Sequence, residues 1–328
     1  MTRAAGVGSM PGEDFLEAVK LVLGETPDLP ALPELPARGA HAAMTGRSLA
    51  VLDGLGADLQ PAGWRLTGSA AESGADHRRA RSLLAQDLDT VEEQMQGYAG
   101  TFKVAVAGPW TLAATVEKPR GDRVLSDRGA RRELAEALAE GLRGHVADLR
   151  RRLPGATLVV QVDEPALPAV LAGQVPTASG FHRHRSVDAP GASPALEMVL
   201  AAVRDAGATP LVHCCAVDVP VDLLTGAGAA GVSVDLDVLA ASAYDGLATL
   251  LEAGAPVHLG VVPTLRPDTT PGEHALTDKV LRFLDMLGLD PDGVGEHLVV
   301  TPACGLAGAD PDWARQALAL ARRTAANL

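Results

Sequence analysis

The segment PLVHCCAVD, residues 210–218, places His213 directly before Cys214 and Cys215, in a chain of 328 residues whose remaining cysteine is Cys304. On an extended segment, residues two apart face the same side. His213 and Cys215 can then reach a common point while Cys214 faces away. Imidazole nitrogen and thiolate sulfur are the ligands that tetrahedral zinc prefers. Cys304 offers a third soft ligand, and a carboxylate can complete a resting site. Asp235 and Asp237 follow His213 by 22 and 24 residues, room for one helix and a return strand, and they share a strand face. Taken alone, H-x-C is a weak signal, because a lone buried cysteine is usually an inert small hydrophobe. The chain's other thiol at a second strand end strengthens it, and we expect Zn2+ on His213, Cys215 and Cys304 with Asp235 or Asp237 as the acidic ligand.

These residues need strands that end together. Short Val- and Leu-rich runs at 4–9, 102–108, 157–165, 209–215, 231–237, 256–262 and 297–304 read as strands buried on both faces. Helical patterns lie between them at 12–23, 82–98, 126–152, 194–207, 219–227, 243–253, 273–288 and 310–327. In the clearest, Leu134, Leu138, Leu142, Val146 and Leu149 form one apolar stripe, with Ser126 as expected N-cap and Pro154-Gly155 as its end. Repeated strand–helix alternation predicts parallel strands with helical crossovers. Seven strands are visible, and an eighth is expected inside the Pro- and Gly-rich stretch 28–70. The expected fold is a single (β/α)8 TIM barrel over residues 1–328, with an open doubly wound sheet as the alternative; no G-x-G-x-x-G follows the first strand to support the latter. In such a barrel, chemistry gathers at the C-terminal strand ends. Gly8-Ser9, Asp163-Glu164, His213 and Cys215, Asp235 and Asp237, and Cys304 all fall there.

Composition narrows the function. Lys and Arg number 28 against 41 Asp and Glu, a formal net charge of −13, which argues against nucleic-acid and anionic-membrane partners. No apolar run suits a signal peptide or a membrane span, and three cysteines make no disulfide framework, so a reducing, cytoplasmic location is expected. Hydrophobic residues are 47% of the chain and aromatics 3%, so the core must be aliphatic. The stretch 174–194 reads as a long loop. Its FHRHR run, 181–185, is either a plain solvated loop, a cover over the strand-end site or a contact for an anionic donor substrate.

GVGSMPG (6–12), VAVAGPWTLA (104–113), VVQVDEPAL (159–167), LVHCC (211–215) and TPACGL (301–306) occur in the order of motifs in cobalamin-independent methionine synthase. The chain resembles that family's catalytic barrel, in pieces, over nearly its whole length. Uroporphyrinogen decarboxylase shares the barrel type without the zinc site. The resemblance implies zinc on His213, Cys215 and Cys304. The family's acidic ligand is usually Glu, whereas this chain offers Asp235 or Asp237. It also implies homocysteine binding by Gly8, Ser9 and Asp163, with Asp163 the candidate for catalysis and Glu164 beside it as a further substrate contact. Asp163 as an N-cap is the competing reading. Trp110 of GPW is expected to pack.

Two departures shape the expected donor. No N-terminal folate-binding barrel is expected in a chain of this length, and the loop after the seventh strand, GVVPTLRPD (260–268), lacks the histidine that the family places there. His258, inside the strand, is a poor substitute. A methylcorrinoid is therefore the expected donor, with methylcobalamin as co-substrate and a corrinoid or corrinoid protein as partner. The expected activity is zinc-dependent S-methylation of a small thiol, homocysteine to methionine. The alternatives are alkyl transfer to another small thiol and a non-catalytic zinc-binding barrel.

Overall fold

The computed structural model describes residues 2–328. Nine strands run in chain order: β1 (Arg3–Ala4), β2 (Leu55–Gln60), β3 (Gly63–Ser69), β4 (Thr101–Ala107), β5 (Thr157–Asp163), β6 (Thr209–Cys214), β7 (Gly231–Asp235), β8 (Val257–Val262) and β9 (Leu298–Pro302). Seven form one parallel sheet, ordered β1-β9-β8-β7-β6-β5-β4, and β2 pairs with β3 as a separate antiparallel hairpin. β8 and β9 are buried along their whole length, as the uninterrupted apolar runs require. Helices cover the outside and seal a largely aliphatic core, in which the fully buried rings are Trp313, Phe102 and Phe283, with Phe15, Trp64 and Trp110 nearly so.

The expected closed eight-stranded barrel is not what forms. The sheet is a curled seven-stranded one, and among the described residues of 28–70 no strand joins it as an eighth. Residues 30–34 instead run between the two sheet edges, with single bridges from Ala31 to Lys103 and from Glu34 to Ser9. Leu32 N–H donates to Lys103 O at 2.7 Å, and Glu34 N–H donates to Gly8 O at 3.1 Å. The reason is in LPALPELPAR: Pro30, Pro33 and Pro36 have no N–H to give, so the backbone can pair only at isolated points. The rest of that stretch supplies the hairpin β2–β3 and the helix Met44–Val51. β1 is also shorter than expected: its ladder stops at Ala4, so Gly8 and Ser9 lie beyond it.

Helix boundaries shift for local reasons. The long helix is Arg128–Arg152, and Asp127 rather than Ser126 caps it, accepting from Gly129 and Ala130 N–H at 2.8 and 3.1 Å. The helix expected from 194 begins earlier, at Ala189, with Asp188 as its cap and Pro194 inside. The loop before it is correspondingly shorter and is pinned by a bridge between Pro176 and Arg183.

The register aligns the site. Ala107 lies opposite Asp163, Asp163 opposite His213, and His213 opposite Ser233. Asp235 lies opposite Gly260, two residues before the end of β8. A single lateral row near the C-terminal ends thus carries Asp163, His213 and Ser233 side by side.

Candidate metal centre

His213 is the fifth residue of β6, Cys215 stands just past its end, and Cys304 follows β9 by two residues. The His213 ring and the sulfurs of Cys215 and Cys304 come within 4.8 Å of one another, and among the described residues they are the one group of three or more His, Cys or acidic side chains able to share an ion. The two sulfurs are 3.1 Å apart, and His213 Nε2 is 3.8 Å from Cys304 Sγ. On the other side of the ring, His213 Nδ1 meets Ser233 Oγ at 2.9 Å. That contact fixes the ring plane and leaves Nε2 facing the sulfurs, the arrangement in which a metal-binding histidine is held by a hydrogen bond to its second nitrogen. Cys214 is fully buried on the opposite face, and burial pushes its thiol up to about 12.

The paired thiols share a proton unequally. Cys304 is drawn down to about 4, first by the hydrogen bond from Cys215 and then, against its burial, by His213. Cys215, the donor of that bond and itself buried, is held well above the usual thiol range. One sulfur of the pair is therefore ready to ionise, as a metal ligand must be. The donor set, its spacing and the held imidazole fit zinc.

The two candidate acidic ligands part ways. Asp235 is half-buried at the end of β7, and burial raises its carboxyl, with Cys304 among the charges that act on it. Its Oδ1 accepts the Asp237 N–H at 2.9 Å. Asp237 is exposed and pairs with Lys279 at 2.5 Å. Neither carboxyl lies inside the 4.8 Å group, but Asp235 is the one at the end of β7, two residues beyond Ser233 and on its face.

The adjacent acids of QVDEP have opposite surroundings. Asp163 Oδ1 accepts from Gln161 Nε2 at 2.8 Å, Gln161 Oε1 accepts from Lys103 Nζ at 2.5 Å, and Lys103 Nζ also donates to Val7 O at 3.2 Å. Burial pushes Asp163 up to about 6 against the pull of His213. Burial likewise draws Lys103 down to about 7. Asp163 does not cap a helix. Glu164 does: its carboxylate accepts from Trp110 N–H at 2.9 Å and from Thr111 N–H and Oγ1 at 2.7 and 2.8 Å, at the start of the helix Pro109–Thr115. Gly108 makes this possible, because a Cβ there would overlap the Glu164 carboxylate. Glu164 is fully buried, so the structure places it behind the inner row. Trp110 packs, with its indole N–H donating to Ala192 O at 3.0 Å.

Gly8 and Ser9 reach the same mouth by another route. Ser9 O accepts the Leu306 N–H at 2.8 Å, and a Cβ at Gly305 would overlap Ser9 Oγ, so the Ser9 hydroxyl lies against the residue after Cys304. Beside it stands Glu34, which the sequence reading passed over. Glu34 is 5% exposed and is raised to about 7, mainly by burial, with Asp163 among the charges raising it. Arg47 Nε lies 3.7 Å from its carboxyl. An acid between two prolines on an apolar strap was the available signal. Ser233 carried one too, being two residues before Asp235 on the same face. His258 is buried with Nδ1 unpartnered, and burial holds it well below the usual imidazole range, so it stays neutral.

The sequence model of the cobalamin-independent synthase catalytic domain matches residues 90–327. Among solved structures, a B12-independent methionine synthase from Shewanella sp. W3-18-1, in complex with selenomethionine, is similar with a TM-score of 0.63 and 14% identity, over 100% of this chain and 97% of that one. Methylaspartate ammonia lyase from Clostridium tetanomorphum (TM-score 0.45, 14% identity, 100% and 59% covered) and a β-mannanase from the blue mussel Mytilus edulis (0.46, 10%, 98% and 92%) are more distant. No curated protein matches. The match to a cobalamin-independent family overturns the expected methylcorrinoid donor, methylcobalamin as co-substrate and a corrinoid partner. That expectation rested on an absent loop histidine and on chain length, neither of which bears on corrinoid chemistry. Among the described residues, no helix is long and apolar enough to cross a membrane.

Proposed function

The chain belongs to the cobalamin-independent synthase catalytic-domain family, and from that premise we propose a zinc-dependent methyltransferase whose acceptor is the thiol of homocysteine. The observation that carries the reading is the group His213, Cys215 and Cys304, with Nδ1 of the histidine already held by Ser233. These three would hold zinc, and Asp235 is the acidic side chain placed to join them. Bound there, zinc would supply the charge that keeps a substrate thiol deprotonated at neutral pH.

The chain's own residues do the rest. Asp163 and Glu34 face the mouth as two buried acids, a fitting receptor for the ammonium of an amino acid. Binding a cation would favour their ionised forms, which burial otherwise opposes. Lys103 and Gln161 hold Asp163 in one orientation through two hydrogen bonds. Ser9 Oγ, set beside the Cys304 loop, is placed for the substrate carboxylate. Glu164 supports the site by fixing the start of the helix that follows β4.

The test begins with metal analysis and homocysteine binding by calorimetry. Purified protein should hold close to one zinc per chain and bind homocysteine with proton release, and Cys215→Ser should lose both. Methyl transfer to homocysteine is then assayed with methyltetrahydrofolate. Protein without zinc, unchanged by Cys215→Ser, would sink the proposal. Zinc without homocysteine binding would redirect it to another small thiol.

A further inference from the structure

A cavity of about 1130 Å³ opens between the N-terminal ends of the helices Arg128–Arg152 and Ala189–Asp205, closed on one side by the loop that carries FHRHR. Arg128, Arg131, Arg132, Arg183 and Arg185 line it, with Asp188 the one acid among the lining residues. Asp188 is already engaged, accepting from Gly191 N–H at 3.1 Å. In a chain of net charge −13, five guanidiniums around one cavity are out of keeping with the whole.

They are also placed against the local electrostatics. The N-terminal end of a helix is positive and favours acids, and cations at i, i+3 and i+4 repel. Arg128, Arg131 and Arg132 sit at that end at that spacing. Of the seven helices of nine or more residues among the described residues, five carry an acid in the first turn; the two without one, whose acid is only the N-cap Asp127 or Asp188, border this cavity. Among the described residues, Arg132 pairs with Glu136 at 2.8 Å, whereas Arg128, Arg131, Arg183 and Arg185 have no carboxylate within 4.0 Å. Arg131 lies over the Trp110 ring at 5.5 Å, and its Nε is buried without an acceptor. Burial and the neighbouring Arg128 both draw Arg131 below its usual range. Leu125, Pro194 and Met198 give the cavity an apolar wall.

We infer that this cavity is a binding site for a small polyanion, a molecule carrying two or more carboxylate or phosphate groups beside an apolar portion. Guanidinium forks match both groups in geometry, and several forks around one concavity favour multiply charged ligands over single ions. The site stands independently of thiol chemistry at the metal centre. Trp110 joins the two regions, because its backbone N–H is held by Glu164, next to Asp163.

The experiment titrates the full chain at low salt with pyrophosphate and, separately, with citrate, read by calorimetry and tryptophan fluorescence. At least one should bind, and Arg183→Ala/Arg185→Ala should weaken it by at least about tenfold. Arg79→Ala/Arg282→Ala, which removes the same charge from exposed positions elsewhere, should leave affinity within about twofold. Arg131→Lys keeps the charge, loses the fork, and should weaken binding as well. Tighter binding of pyrophosphate assigns the site to phosphates, and tighter binding of citrate assigns it to polycarboxylates. Failure of both to bind, or equal loss in the two double variants, overturns the inference.

Discussion

The rim at the ends of β5 to β9 and the strap of residues 28–38 face the same mouth but are held in opposite ways. At the rim, the backbone positions side chains: His213 lies between Asp163 and Ser233 in a ladder paired on both edges. Cys215 and Cys304 stand one and two residues beyond such strands. Their thiols form no disulfide and meet each other and His213. At the strap, side chains position the backbone. Three prolines leave isolated bridges, and a buried ion cluster does the holding. Arg47 Nη1 meets Asp87 at 2.6 Å, Arg38 meets the same carboxylate at 2.8 Å, and Arg47 Nε lies 3.7 Å from Glu34. Substitution at the rim should therefore remove zinc and spare the fold, and substitution at the strap should cost stability and spare the zinc.

The largest effect expected is at the rim. Cys304→Ser should abolish methyl transfer and weaken zinc binding by roughly two orders of magnitude, about a quarter of the free energy of a four-ligand zinc site. The melting temperature of the metal-free protein should move little. If that temperature falls as far as the activity, the rim is structural and the contrast fails. Arg47→Met is the counterpart. It leaves Glu34 buried without a cation and Asp87 with Arg38 alone, a loss of about 3 kcal/mol in unfolding free energy. Zinc content per folded molecule should be retained. Chemical denaturation with metal analysis on the same samples reads both.

The same contrast explains what was legible in the sequence. Parallel strands buried on both faces announce themselves as Val-rich runs, so six of the seven match within a few residues, while the first, expected over 4–9, pairs only at Arg3–Ala4. H-x-C was readable because strand alternation sends His213 and Cys215 one way and Cys214 the other. The strap has no period: LPALPELPAR gives neither alternation nor a helical stripe, and what holds it is distant in sequence, from Arg47 to Asp87. Glu34 was lost with it. Glu164 failed differently. Its neighbour Asp163 turns inward, and nothing local says that the next carboxylate must satisfy the N–H groups of a helix 53 and 54 residues earlier. The Arg128–Arg132 turn was read as the start of an ordinary helix, because its meaning depends on Arg183 and Arg185 arriving from another crossover.

The strap should also leave a mark on pH dependence. Glu34 is raised by burial from 4.5 to about 7. Between those values the folded chain keeps a proton that the unfolded chain releases. Its contribution is therefore fully present below pH 4.5 and is lost as pH rises through 7, at most about 3 kcal/mol. This slope opposes that of an ordinary ion-paired carboxylate. Glu34→Gln should flatten it over that window while leaving zinc content intact. An unchanged slope in urea denaturation at pH 5 and pH 8 would mean that Arg47 keeps Glu34 ionised, and that the strap is held by an ion pair rather than by a protonated acid.

The smallest effect separates two aspartates that sequence spacing left equivalent. Asp237 points outward to Lys279, and exposed pairs of this kind contribute about 0–1 kcal/mol. Asp237→Asn should therefore leave zinc affinity and activity within about twofold. Asp235 ends β7 on the face of Ser233, is raised by burial and feels the charge on Cys304. Asp235→Asn should weaken zinc binding by about tenfold, the lower end of what groups around a metal contribute, and should raise the zinc off-rate with it. Competition against a chromophoric chelator measures both variants under one condition. Equal effects would place neither carboxylate at the metal, and the rim would then hold its ion by three residues alone, with the fourth position open to the incoming thiol.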